Sequence, residues 1–77
     1  MPKSIFSESQ EKLQTLLREA RQNAGFNQTE LAEKLGRPQS FVSKYESGER
    51  RLDIIELLEV CRAMDISLSS FVKRLEK

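Results

Sequence analysis

Glycine and proline, the residues that most often interrupt regular backbone, are scarce in this chain. There are three glycines and two prolines among 77 residues, at positions 2, 25, 36, 38 and 48. Between them apolar residues recur at every third or fourth position, and no stretch alternates as a half-buried strand does. This pattern predicts an all-α fold of five helices with short connections. Because so short a chain buries only one core, residues 1–77 are expected to form a single domain.

Residues that cap helices locate the ends of the expected helices. A Ser, Asn or Asp followed three positions later by Gln or Glu is a capping box, which begins a helix. Pro38 fits the first position of the third helix, because its ring fixes φ where no backbone donor is needed. The fourth helix has an apolar stripe that begins at Ile54 and continues at Leu57. The capping boxes are Ser7–Gln10, Asn27–Glu30 and Asp53–Glu56, and a closing helix follows Ser67.

Several classes of protein are excluded by composition. The chain has no histidine and one cysteine, which excludes a disulfide framework, a zinc site of thiolate and imidazole, and a histidine-based catalytic triad. Its carboxylates are not accompanied by a nucleophile or a metal-binding set, so no enzyme activity, cofactor or metal is expected. Apolar runs never exceed two residues, which excludes a membrane span. The lone Cys61 suits a buried position in a protein of the reducing cytoplasm.

Charge is unevenly distributed along the chain, although the net charge is only +1. Residues 34–51 carry five basic and two acidic side chains, whereas residues 52–65 carry one basic and four acidic ones. The first segment suits contact with a polyanion, and the second would repel one. Solvated helix faces explain the same charges more simply, so charge alone does not predict a nucleic-acid partner.

The second and third helices are joined by a turn that begins at Gly36, which is the layout of a helix-turn-helix. At about 100° per residue, the third helix separates into two faces. One face is apolar and carries Val42 and Tyr45, with Phe41 at its edge. The opposite face offers an amide, two hydroxyls and an ammonium group, which suit the edges of DNA bases. These side chains are Gln39, Ser40, Ser43 and Lys44.

Two alternatives stay open on this helix. A polar face also occurs on helices that simply face water, although such faces usually alternate Glu and Lys more than this one does. The two faces by themselves therefore leave DNA reading and plain solvation equally open. Phe41 either joins the core or packs against the methyl group of a thymine base.

Residues 28–46, which hold both helices and the turn, carry the pattern of a known DNA-binding motif. On this motif the chain resembles the phage Cro and repressor family, also called XRE-type. Matches on both sides of the motif extend the resemblance over about residues 13–72. The residues that keep the internal spacing of the motif are Ala32, Gly36, Val42 and Tyr45.

The resemblance implies a lambda-repressor-like fold with its helix-turn-helix core at about residues 28–47, and double-stranded DNA as the partner. It implies that Gln39 is the leading base reader and that Ser40 and Lys44 read neighbouring bases. Ser43 is expected to touch a base or a phosphate.

Other positions matched to the family imply contacts to the DNA backbone or within the protein. Arg21 and Glu46 match positions that form an ion pair between the first and third helices, although a phosphate contact for Arg21 stays open. Two positions depart from the family pattern: Asp65 stands where a glycine is usual, and Pro38 where a capping side chain is usual. The residues implied to contact phosphates, which fix register without reading sequence, are Gln28, Arg37, Arg50, Arg51 and Arg18.

Residues and resemblance together predict a sequence-specific DNA-binding transcriptional regulator. We expect a repressor that occupies a palindromic operator as a homodimer and has no small-molecule ligand domain. The expected dimer surface is the last helix and the turn before it, with Ile66, Phe71 and Leu75, unless these residues close the core of the monomer instead. The alternative function is an antitoxin-type protein-interaction module, which binds a partner protein and autoregulates its own operon.

Overall fold

The computed structural model describes residues 5–77, with side chains from residue 8 onward, and these residues form five helices. No strand occurs among the described residues, so the expected all-α architecture is confirmed. α3 packs against α1 and α2, while α4 packs against α2 and α5. The helices are α1 (Ile5–Asn23), α2 (Gln28–Leu35), α3 (Gln39–Ser47), α4 (Ile54–Ala63) and α5 (Leu68–Glu76).

Side-chain caps begin three of these helices, as expected. Asn27 accepts a hydrogen bond from the backbone amide of Glu30 at 2.7 Å, and the Glu30 carboxylate accepts one from the Asn27 amide at 2.8 Å. Asp53 and Glu56 form the same reciprocal pair at the start of α4, and the Ser67 hydroxyl caps α5. Each cap gives a partner to a backbone donor that has none inside the helix.

Two expected helix starts are wrong, by three residues in α1 and by one residue in α3. α1 is already helical at Ile5, so Ser7 lies inside it rather than at its cap. The helix continues because no glycine or proline stands between residues 3 and 24 to stop it. Pro38 is the N-cap of α3 instead of its first helical residue, because its ψ of 152° is extended.

Left-handed backbone closes the turns between helices. Gly36 (φ +69°) ends α2, and Asp65 (φ +59°) adopts the same conformation after α4. Gly48 (φ +90°) ends α3, and a Cβ atom there would lie only 2.8 Å from the Oε1 atom of Gln14 on α1. Gly48 thus combines a positive φ, which glycine adopts at the least cost, with a position where an added Cβ atom would require the Gln14 side chain to move.

The core lies where the helices meet. Leu31, Val42 and Cys61 are fully buried in it, and burial raises the pKa of the Cys61 thiol, so this residue acts as a small apolar side chain. Tyr45 is also buried, and its hydroxyl has no hydrogen-bond partner within the described part of the chain. Desolvation raises the pKa of this phenol well above its usual value, so it stays neutral.

Two apolar residues, Ile54 and Phe71, lie elsewhere than the sequence pattern predicts. Ile54, expected on the apolar face of α4, is 62% exposed. It is the first residue of the helix, and the buried residues of α4 begin one turn later, at Leu57. Ile55 beside it is 61% exposed. Phe71, expected on a dimer surface, is 1% exposed, because α1 and α4 both pack against α5 and enclose its ring. Leu75 is half-buried against the same core, as is Ile66.

Candidate nucleic-acid interface

α3 divides its side chains between the core and the solvent. Val42 and Tyr45 are at most 1% exposed, and Phe41, at 8%, packs edge-on against the Tyr45 ring with centroids 5.5 Å apart. The aromatic ring at the edge of the helix therefore belongs to the core. On the opposite side, three of the four predicted base readers are exposed and the fourth, Ser43, is half-buried. The structure thus brings Gln39, Ser40, Ser43 and Lys44 to one polar face.

A buried ion pair fixes the position of α3 against α1. The Nε atom of Arg21 lies 2.7 Å from Oε2 of Glu46, and a terminal nitrogen of the same guanidinium donates to Oε1 at 3.1 Å. Glu46 is 1% exposed and Arg21 is 9% exposed. The hydrogen bond to Glu46 raises the pKa of the guanidinium, which keeps its charge. Arg21 also donates to the carbonyl oxygen of Phe26 at 2.9 Å, so the pair holds the connection before α2 as well.

Glu46 is also connected to the polar face of α3 through a chain of amides. The Nε2 atom of Gln28 donates to Oε1 of Glu46 at 3.1 Å. The Nε2 atom of Gln39 in turn donates to Oε1 of Gln28 at 3.3 Å. The structure thus places Gln28, expected on a phosphate, between the buried carboxylate and Gln39, the predicted leading base reader. Sequence reasoning missed this role, because the three residues are brought together only by the packing of α2 on α3.

A second carboxylate, Glu56, holds two of the arginines expected on phosphates. Both terminal nitrogens of Arg50 donate to it, at 2.7 and 3.1 Å, and Arg37 lies 3.8 Å away. The same two guanidinium groups lie over the Phe41 ring, 4.5 Å (Arg37) and 4.7 Å (Arg50) from its centroid. The hydrogen bonds from Arg50 and from the Asp53 amide lower the pKa of Glu56 to about 2. The sequence marked Glu56 only as a capping residue.

The other cations expected at the interface are less constrained. Arg51 and Lys44 are exposed and form no ion pair within the described residues. Arg18 is half-exposed and donates to the carbonyl oxygen of Glu46 at 3.3 Å. Arg51 and Lys44 thus have no ionic partner among the described residues that an anionic ligand would have to displace.

The groups on this surface are suited to binding another molecule. In the part of the chain that the structure describes, no group of histidine, cysteine, aspartate and glutamate side chains is placed to hold a metal ion. None of the described helices combines the length and the apolar character needed to cross a membrane. The surface offers hydrogen-bond donors and acceptors on a rigid helix flanked by guanidinium groups, which suits a polar and anionic polymer.

Comparison with known families gives one match. A family model described as helix-turn-helix matches residues 17–71, which run from α1 through α2, α3 and α4 into α5. A comparison with proteins of curated function gives no match.

Solved structures are similar over nearly the whole chain. An XRE-family-like protein from Pseudomonas syringae pv. tomato str. DC3000 is 49% identical with a TM-score of 0.88, over 94% of this chain and 88% of that one. The clp gene regulator ClgR from C. glutamicum is 25% identical with a TM-score of 0.81, over 97% and 92%. A mutant of the restriction-modification controller protein C.Esp1396I shares the fold at 24% identity, with a TM-score of 0.82 over 88% and 91%.

Replacing Arg21 should cost far more stability than replacing its neighbour Arg18. Arg21→Ala leaves the Glu46 carboxylate buried without its cation and should lower the free energy of unfolding by about 3–5 kcal/mol. Arg18→Ala, the matched control, removes a half-exposed side chain whose Nε atom lies 3.9 Å from Glu46, and should cost less than about 1 kcal/mol. Urea unfolding of both variants measures the difference. Equal losses would contradict a structural role for the buried pair.

The Glu56 contacts predict a specific dependence of stability on pH. Because the folded pKa of about 2 lies below the ordinary value of 4.5, this carboxylate stabilises the fold above pH 4.5 and loses that contribution as the pH falls towards 2. The stability difference between the wild type and Glu56→Gln should therefore shrink over this interval in urea unfolding. Glu30→Gln is the control, since Glu30 makes the same capping contact without an arginine partner among the described residues. A difference that stays constant with pH would refute the assignment.

Proposed function

The chain belongs to the XRE-type helix-turn-helix family, and from this membership we propose that it is a sequence-specific DNA-binding transcriptional regulator. α3 inserts into the major groove of double-stranded DNA, which is the docking geometry of helix-turn-helix proteins. The protein acts as a repressor by occupying a palindromic operator that overlaps a promoter. It binds as a homodimer, with one half-site for each copy.

The exposed polar face of α3 is the observation that carries this proposal. An amide both donates and accepts, so Gln39 matches the adjacent N6 donor and N7 acceptor of adenine. The Lys44 ammonium group matches the O6 and N7 acceptors of guanine. Ser40 and Ser43 are small, so they let the helix approach the bases closely and can bond to bases or phosphates. The buried side of the same helix leaves no other face for this purpose.

Phosphate contacts fix the register of the protein on the duplex. Gln28 stands at the first position of α2, where its backbone N–H has no helical partner and can donate to a phosphate while its side chain stays bonded to Glu46 and Gln39. Arg51 is exposed beside Arg50, and Arg37 lies in the turn before α3. Arg18 supplies a further cation from α1. Because these contacts displace counterions, affinity falls as salt is raised.

The homodimer surface is best placed at the start of α4. Ile54 and Ile55 are the large apolar side chains most exposed among the described residues, whereas Phe71 is buried. Arg51 and Asp53 put both signs of charge beside this apolar pair. A patch with an apolar centre and both charges at its edge complements itself across a two-fold axis, so its occupant is a second copy of the chain.

The leading role of Gln39 is tested with binding sites selected from random duplexes. Gln39→Ala should weaken binding to the selected site by about 1–3 kcal/mol and relax the preference at one base pair in each half-site. Gln22→Ala, an exposed amide on α1, is the matched control and should leave affinity and preference unchanged. Mobility-shift titration and repeated selection measure both effects. An unaltered site preference in Gln39→Ala would assign the reading to another residue, and failure to bind any duplex would refute the function.

The dimer surface is tested with charged substitutions. Ile54→Lys combined with Ile55→Lys places like charges at the two-fold axis and should shift the protein from dimer to monomer in sedimentation equilibrium. The unfolding free energy of the monomer should change by less than about 0.5 kcal/mol, because both positions are exposed. Leu75 packs half-buried against the core, so Leu75→Lys is examined under conditions where urea unfolding shows it folded, and it should then leave the dimer intact. Dissociation of folded Leu75→Lys would place the interface on α5 instead.

A further inference from the structure

An open cavity of about 460 Å³ lies beside α3. It is lined by residues of this helix and by residues that precede and follow it in the sequence. Phe41 and Pro38 form its apolar walls. Ser40 and Lys44, two of the proposed base readers, line the same cavity. The cavity therefore opens on the surface proposed to enter the major groove, next to the base pairs that these two side chains meet.

The Phe41 ring is a fixed wall of this cavity. It packs edge-on against Tyr45 with centroids 5.5 Å apart, and two guanidinium groups lie within 4.7 Å of its centroid. Glu56 binds one of them, Arg50, at 2.7 Å and lies 3.8 Å from the other, Arg37. Ring, arginines and carboxylate thus form one rigid cluster in which Phe41 is 8% exposed, so a small part of the ring lines the cavity beside Pro38 and the basic groups.

Neither the hydrogen-bonding readers nor the phosphate contacts need an apolar wall. The bases present donors and acceptors to the major groove, and they present one apolar group, the methyl group at C5 of thymine. 5-Methylcytosine carries the same group on the same ring position. The rim suits the flanking phosphates, since three of the charged side chains at the cavity are basic and only Glu49 is acidic.

We propose that this cavity recognises the C5 methyl group of a pyrimidine, thymine or 5-methylcytosine, at one base pair of each half-site. The inference rests on the proposed function, since it needs α3 in the major groove. Phe41 then has both roles that the sequence left open. It packs in the core through its contact with Tyr45, and the part of the ring that lines the cavity meets the methyl group.

The first test changes only the DNA. With the wild-type protein and a selected duplex, each thymine of one half-site is replaced in turn by deoxyuridine, which removes only the methyl group. Binding should weaken about fourfold at one position, the effect of burying a single methyl group. At that same position, 5-methylcytosine should bind better than cytosine by a similar factor. The cytosine arm separates recognition of the methyl group from recognition of the other groups of thymine.

The second test assigns the effect to the cavity. Pro38→Ala removes one apolar wall at an exposed position outside the core, so it leaves the fold intact. Phe41→Leu keeps an apolar side chain in the core but withdraws the ring. Each variant should lower the affinity ratio of thymine to uracil from about four to below about two. The preference at the base pair read by Gln39 should stay unchanged in both.

Each contrary result has a distinct meaning. If the duplex is bound selectively while no uracil substitution changes affinity, the cavity reads no methyl group and the proposed function still stands. If the ratio persists in both variants, the methyl group is read by another part of the protein, and the inference is wrong. If no duplex of any sequence is bound, the proposed function fails and the inference fails with it.

Discussion

The buried contact between Arg21 and Glu46 is the interaction on which the arrangement of the first three helices depends. Glu46 is nearly inaccessible, so its charge would be very costly without the guanidinium group 2.7 Å away. The pair joins α1 to α3, and Arg21 also binds the carbonyl oxygen of Phe26 before α2. Ionic groups with directional hydrogen bonds restrict the relative positions of helices more closely than apolar contacts do, so this pair sets the angle at which α3 is presented.

The interface is organised by two acidic residues inside a basic surface. Glu46 lies near the carboxyl end of α3. Glu56 binds Arg50, which follows α3 in the sequence, and lies near Arg37, which precedes it. Each carboxylate lowers the net positive charge and weakens the long-range attraction for a polyanion. In exchange, the side chains beside α3 are already ordered before any ligand binds, which lowers the entropy lost on binding. The surface is thus ordered at the expense of positive charge.

The sequence predicted the elements and the faces of the helices, because these depend on local spacing. The capping residues Asn27 and Asp53 act within one turn, and the two faces of α3 follow from helical periodicity alone. Contacts between elements were harder to predict. Ile54 continues the apolar stripe of α4 but has no helix above it, and Phe71 is enclosed by helices from distant parts of the chain. The second role of Glu56 likewise arises only when the fold brings arginines to its cap.

The hydrogen bonds that run from Glu46 to Gln39 have a fixed polarity. A carboxylate can only accept, so Gln28 must turn its amino group inward and its oxygen outward. That oxygen requires an amino group from Gln39, which leaves the carbonyl oxygen of Gln39 and one N–H pointing away from the protein. A negative charge in the interior therefore decides which way an amide on the surface is flipped, two side chains away. Gln39 therefore offers its acceptor and its remaining donor in one order only, fixed before any ligand approaches.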